Sequence, residues 1–130
     1  MIQYDLVVRR YRQIAKTAGL SGEFPYAEHR NDHEIPYLKF VEGGRIEVLF
    51  SERGRESKIA EAANTEELMY LIFSNIAKRG GVGYELNHRV RGRDHTDVHI
   101  AKAVEYLGSI NEDWGRRLSK EFQDSSNKNR

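Results

Sequence analysis

Tyr37-Leu38-Lys39-Phe40-Val41-Glu42-Gly43-Gly44-Arg45-Ile46-Glu47-Val48-Leu49-Phe50 is the stretch whose reading decides the fold of this 130-residue chain. In its second half Ile46, Val48 and Phe50 alternate with Arg45, Glu47, Leu49 and Ser51. That period of two puts successive side chains on opposite faces of a half-buried strand. Gly43-Gly44 separates the two apolar runs and predicts a two-residue hairpin, because both central residues can take positive φ. Arg53-Gly54 predicts a second turn, which sends Glu56 to Ala60 back as a third strand. The expected element is an antiparallel meander of about three strands.

On both sides of the meander the period changes to that of a helix. Upstream, Tyr4, Val7, Val8, Tyr11, Ile14, Ala15 and Ala18 recur at three- and four-residue steps, and Gly19 is a C-cap candidate. Leu20 to Pro36 reads mostly as loop, with a short strand around Phe24 as an open option. Downstream, Asn64 reads as an N-cap with Glu67 at the third helical position, the spacing of a capping box. The helix it opens carries Leu68, Met69, Leu71, Ile72, Phe73 and Ile76 on more than one face, as a core helix does, and Gly80-Gly81 is expected to stop it. Asp94 is expected to cap a helix bearing Val98, Ala101, Val104 and Leu107 that ends at Gly108. Asn111 should cap a last helix with Trp114, Leu118 and Phe122. The fold class is therefore α+β: an N-terminal helix, a meander of about three strands, and three to four C-terminal helices packed on it. One domain over residues 1–130 is expected, with residues 124–130 as a polar, frayed end.

Charge is nearly balanced, with 21 Lys and Arg against 20 Asp and Glu, so no global field draws the chain to nucleic acid or an anionic membrane. No cysteine is present, which removes disulfides and thiolate metal sites. Met1-Ile2-Gln3-Tyr4-Asp5 has neither a basic nor an apolar leader segment, and no run of eighteen apolar residues occurs. These features predict a soluble protein of the cytoplasm.

The patterns that carry reactions are missing or incomplete. There is no Gly-x-Ser-x-Gly elbow and no Walker loop, and Arg79-Gly80-Gly81-Val82-Gly83 follows a helix instead of leading into one. His95 and His99 stand at i and i+4, yet Thr96 occupies the position where a zinc protease carries its Glu, and no third firm ligand is placed. His29 and His33 share a loop with Asp32 and Glu34, a mixture that acid–base chemistry would also need to bring into a cleft. No catalytic, cofactor-binding or metal residue is assigned, and the chain reads as a binder and not an enzyme. Arg89, Arg91 and Arg93 form the one basic run that would suit phosphates, which makes a small nucleic-acid-binding regulator the second reading. Tyr84, Glu85, His88 and Arg89 form the polar motif singled out for function. If helical, Glu85 and Arg89 pair at i and i+4 while Val82, Leu86 and Val90 anchor the turn.

Several of these motifs, in this order, resemble the bacterial immunity protein 63 family. They are Glu67-Leu68-Met69-Tyr70-Leu71-Ile72-Phe73, Tyr84-Glu85-Leu86-Asn87-His88-Arg89-Val90, Asp94, and Leu107-Gly108-Ser109-Ile110-Asn111-Glu112-Asp113-Trp114. The family pattern runs from a Leu-Leu-Tyr-x-Ile-Phe helix through Tyr-Glu-Leu-x-His-Arg to Leu-Gly-x-Ile-Asn-x-x-Trp. The likeness covers about Ser51 to Phe122. It departs at Gly80, Gly81 and Gly83 and at His95-Thr96-Asp97, where the family carries an aromatic followed by basic residues.

The resemblance implies an antidote made beside a polymorphic or contact-dependent growth-inhibition toxin. Such a protein binds the toxin's C-terminal domain in the cytoplasm, and the toxin is often a nuclease. Binding would occlude the active or substrate-binding surface. An acidic patch is expected to meet a basic nuclease, and two are available: Glu23, Glu28, Asp32 and Glu34 in the first loop, or Glu47, Glu52 and Glu56 on the sheet.

Overall fold

The computed structural model describes the backbone of residues 2–31, 33–87 and 95–128 and the side chains of residues 3–31, 33–83 and 98–125. Its elements are α1 (Ile2–Thr17), β1 (Tyr37–Phe40), β2 (Ile46–Glu52), β3 (Arg55–Ala62), α2 (Thr65–Asn87), α3 (His95–Ile110) and α4 (Glu112–Lys128). The α+β order of one N-terminal helix, a three-stranded antiparallel sheet and three C-terminal helices is the predicted one. The chain forms two compact units, Met1–Met69 and Tyr70–Arg130, and the boundary falls within α2.

In the first unit α1 buries the predicted stripe through Val7, Tyr11 and Ala15. It closes in a Schellman pattern: Leu20 N donates to Ala15 O at 2.8 Å and Gly19 N to Lys16 O at 3.2 Å. Gly19 has φ +73, a conformation that costs glycine nothing and side-chain-bearing residues about 1 kcal/mol or more. Strand order is β1-β2-β3, with Tyr37 opposite Leu49, Leu38 opposite Val48 and Phe40 opposite Ile46. The first hairpin differs from the expected two-residue loop. Glu42, Gly43 and Gly44 make a short 3-10 turn closed by Val41 N donating to Arg45 O at 2.9 Å, with both glycines at positive φ. With Phe40 opposite Ile46, Val41 faces Arg45 and three residues lie between them, whereas a two-residue Gly43-Gly44 loop would need Glu42 opposite Arg45. The second turn is the two-residue Arg53-Gly54 loop as predicted, with φ +51 and +77. No strand forms around Phe24; the loop backbone bridges to the sheet between Ala27 and Tyr37.

A bulge on β3 alters the simple alternation. Val48 pairs with Ala60 and Leu49 with Lys58, so Ile59 has no opposite number and is left exposed. One face of the sheet carries Leu38, Phe40, Ile46 and Val48, and the other carries Tyr37, Lys39, Glu47 and Leu49. Leu49 was expected among the outward, polar-side positions, and it is outward, yet only 6% of it is exposed. It is covered because it lines, with Tyr37, a groove walled by the loop at Glu28, His29 and Arg30.

Helix α2 begins as predicted. The Asn64 Oδ1 accepts from Glu67 N at 2.9 Å, and Asn64 O accepts from Leu68 N at 3.1 Å. Asn64→Ala is expected to lower the unfolding free energy by about 1 kcal/mol, read as a shift in urea midpoint at unchanged slope. Leu68, Met69, Tyr70, Ile72 and Phe73 are all buried, as the apolar character on several faces requires.

The expected stop at Gly80-Gly81 does not occur, and α2 runs on to Asn87. In the second unit Gly81 lies against α3, where a Cβ would sit 2.3 Å from His99 O and 3.2 Å from the Ala103 Cβ. The glycine is there for close approach and not for termination. Gly108 is likewise interior to α3, which continues to Ile110, and it faces Gly115 of α4. The buried residues of α3 are Ala103 and Leu107 at a four-residue step, while Ala101 is exposed. The predicted stripe of repeated three-residue steps drifts by about 60° per step on a helix of 3.6 residues per turn, so it could not stay on one face. Asn111 caps α4 as expected, its Oδ1 accepting from Trp114 N at 3.1 Å. Trp114 stacks on Phe73 at 6.0 Å and meets Tyr70 edge-on at 6.2 Å. Arg117 lies 3.8 Å over the Tyr70 ring, whose hydroxyl donates to Glu121.

Candidate partner surface

The outward sheet face carries two of the candidate residues, Glu47 and Glu56. Glu47 on β2 shares it with Ser51, and Glu56, Lys58 and Glu61 join from β3, because the cross-strand pairs Ser51–Glu56, Leu49–Lys58 and Glu47–Glu61 all point that way. Glu52 stands at the hairpin end on the opposite face, one residue out of that alternation. The loop brings Glu28, His29 and Arg30 beside Tyr37, Lys39, Leu49 and Glu56, and together they line a groove of about 370 Å³. The two acidic patches that sequence reading kept as alternatives therefore meet in one place, through Glu28 and Glu56.

Two residues that sequence reading passed over organise this face. Arg30 fastens the loop to the second hairpin: Nε donates to Ser51 Oγ at 3.1 Å, Nη2 donates to Gly54 O at 3.3 Å, and Nη1 lies 3.9 Å from Glu56 Oε2. Asn31 wraps the loop around itself. Its Nδ2 donates to His29 O at 3.2 Å and Ile35 O at 3.0 Å, while its Oδ1 accepts from His33 N at 3.0 Å and Ile35 N at 3.2 Å. Asn between polar residues in a Pro-bounded loop is the local signal that would have found it. Glu34 is held exposed on that loop at φ +57.

The charges here are largely matched. Lys58 Nζ is 3.0 Å from Glu61 Oε2 and 3.6 Å from Glu47 Oε2, and Arg45 donates to Glu61 at 2.9 Å. The hydrogen bond and charge of Glu61 hold the Lys58 ammonium above its ordinary pKa, and those of Lys58, with Arg45 adding to them, hold the Glu61 carboxyl below its own. Burial raises the Tyr37 hydroxyl, and the Glu56 carboxylate it donates to raises it further. The face thus offers a lattice of ion pairs around a Tyr37–Leu49 floor.

Tyr84 and Glu85 lie on the backbone of α2, which is described as far as Asn87, so the pairing of Glu85 with Arg89 falls outside the described residues. His88, Arg89, Arg91, Arg93, Asp94 and Asp32 lie outside the described residues. Among the described residues no group of three or more His, Asp or Glu side chains is placed to hold a metal ion, and no helix is long and apolar enough to cross a membrane.

The chain belongs to the immunity protein 63 family, whose model matches residues 42–124. That span takes in the sheet from β2 onward, α2, α3 and α4 as far as residue 124. No curated protein and no solved structure matches the chain at a significant level. Membership gives it an immunity role, with a cognate toxin as its partner.

Proposed function

We propose that the protein binds a cognate toxin domain, a nuclease of a polymorphic or contact-dependent growth-inhibition system, and blocks it in the cytoplasm by covering its active or substrate-binding surface. The observation that carries this reading is the family match over residues 42–124. The outward sheet face supports it with ordered charged groups and an aromatic floor. Contacts are assigned to Glu28, Asp32 and Glu34 of the loop, to Glu47, Glu52 and Glu56 of the sheet, and to Tyr84, Glu85, His88 and Arg89. The protein acts as a binder, and no step of catalysis is assigned to it.

Co-expression with the toxin domain encoded by the neighbouring gene tests this. Growth should be restored and the two proteins should elute together in size-exclusion chromatography. Unchanged toxicity in cells that contain the folded protein would refute the role.

A further inference from the structure

The loop that walls the sheet groove also lines a second one, of about 690 Å³, between itself and α1. Helix α1 contributes Asp5, Val8, Arg9 and Arg12, which three- and four-residue steps place on one helix face. The loop contributes Gly22, Glu23 and Phe24. Both walls are tied in place: the Tyr11 hydroxyl donates to Gly22 O at 3.3 Å and the Tyr4 hydroxyl to Tyr26 O at 2.8 Å. Phe24 sits edge-on among Tyr4, Tyr11 and Tyr26 at 5.8, 5.5 and 5.7 Å.

The charged groups of this groove differ from those of the sheet face. Asp5, Arg9, Arg12 and Glu23 are exposed, and none makes a hydrogen bond or ion pair with any described residue. No side-chain hydrogen bond or ion pair to a described residue holds them, yet they stand on preset walls around an aromatic floor. The presence of both signs matters. Asp5 and Glu23 would repel the phosphates of a nucleic acid, whereas a protein segment with an acidic and a basic side chain flanking an apolar one satisfies all four charges and seats on Phe24 and Val8. The groove is built entirely from residues before position 42, where the family match begins. The shared model thus describes the scaffold and leaves this groove out of it.

Resting on the binding role proposed above, we infer that the α1–loop groove is the contact that selects the toxin: it takes a mixed-charge segment of the cognate domain. Selectivity in such a site comes from charge juxtaposition, which penalises a wrong partner more than it rewards the right one.

The test is calorimetric titration of the full chain with a catalytically inactivated toxin domain encoded by the neighbouring gene. Arg9→Glu/Arg12→Glu is expected to weaken binding by about 100-fold, and Glu23→Lys by about tenfold, with circular dichroism and melting temperature unchanged. Arg79→Glu, an exposed charge on α2, should bind as the parent does. Parent-like binding by both groove variants overturns the inference and leaves the immunity role standing. Failure of the unaltered protein to bind overturns the role itself. Should the double variant not fold, Glu23→Lys alone decides by the same criterion. Binding of a mixed-sequence oligonucleotide that depends on Arg9 and Arg12, with toxin binding unaffected, would also overturn it.

Discussion

Gly81→Ala is expected to destabilise the protein by about 2–3 kcal/mol, although alanine is the better helix former by about 1 kcal/mol. The added Cβ would lie 2.3 Å from the His99 carbonyl oxygen and 3.2 Å from the Ala103 nitrogen and Cβ. These are atoms of an α3 backbone that cannot rotate aside as the end of a flexible side chain can, so α2 and α3 must separate along their contact. A loss of that size should lower the melting temperature by roughly 10 °C and move the urea midpoint with it. Gly80→Ala supplies the control. A Cβ there meets nothing within 4 Å, so the same substitution one residue earlier should stabilise by about 0.5–1 kcal/mol. Equal responses at the two positions would mean that α2 and α3 do not approach as described.

The second large effect is at the crossing of α3 and α4. Gly115→Ala would bring a Cβ to 2.7 Å from the Gly108 Cα, 3.0 Å from its nitrogen and 3.3 Å from Val104 O. All three are backbone atoms, and a cost of about 2 kcal/mol net of helix propensity is expected. The partner glycine should behave oppositely. The Cβ of Gly108→Ala would stand 3.9 Å from the Gly115 Cα, an ordinary contact, so that change should be neutral or stabilising by up to about 1 kcal/mol. Chemical denaturation of the two single variants reads the asymmetry directly. If Gly115→Ala is harmless, the close α3–α4 approach is wrong.

The residues that could be read locally were those whose structure is decided within a few positions along the chain. Asn64 and Asn111 cap helices because a side-chain oxygen reaches an amide three residues on, whatever the rest of the chain does. Arg53-Gly54 makes its hairpin for a similarly local reason. The candidate site was legible in kind and not in arrangement. Glu28, Glu47 and Glu56 could be picked out as acids on a loop and a sheet. That Glu28 and Glu56 would line one groove, and that Glu47 would be matched by Lys58, depends on the β3 bulge and on Arg30 reaching Ser51 and Gly54. Neither is encoded by a spacing. Of the α1 groove only the apolar stripe of its helix was read; the face bearing Asp5, Arg9 and Arg12 and the tethering of the loop by the Tyr4 and Tyr11 hydroxyls were not.

By itself the sequence determined the element order, the fold class, the N-caps at Asn64 and Asn111 and the family, because periodicity and capping are properties of neighbours in the chain. Tertiary structure alone decided what the glycines do. Gly80-Gly81 and Gly108 carry a local preference to end a helix worth about 1 kcal/mol each, and burial of a helix against its neighbour outweighs that. Gly81 and Gly108 stay inside helices because α2 meets α3, and α3 meets α4, more closely than a side chain on Gly81 or Gly115 would allow. It also decided that the Leu49 side chain, outward by the strand's own period, is covered. In each case the deciding partner lies on another element of the fold, and no spacing within one element reports it.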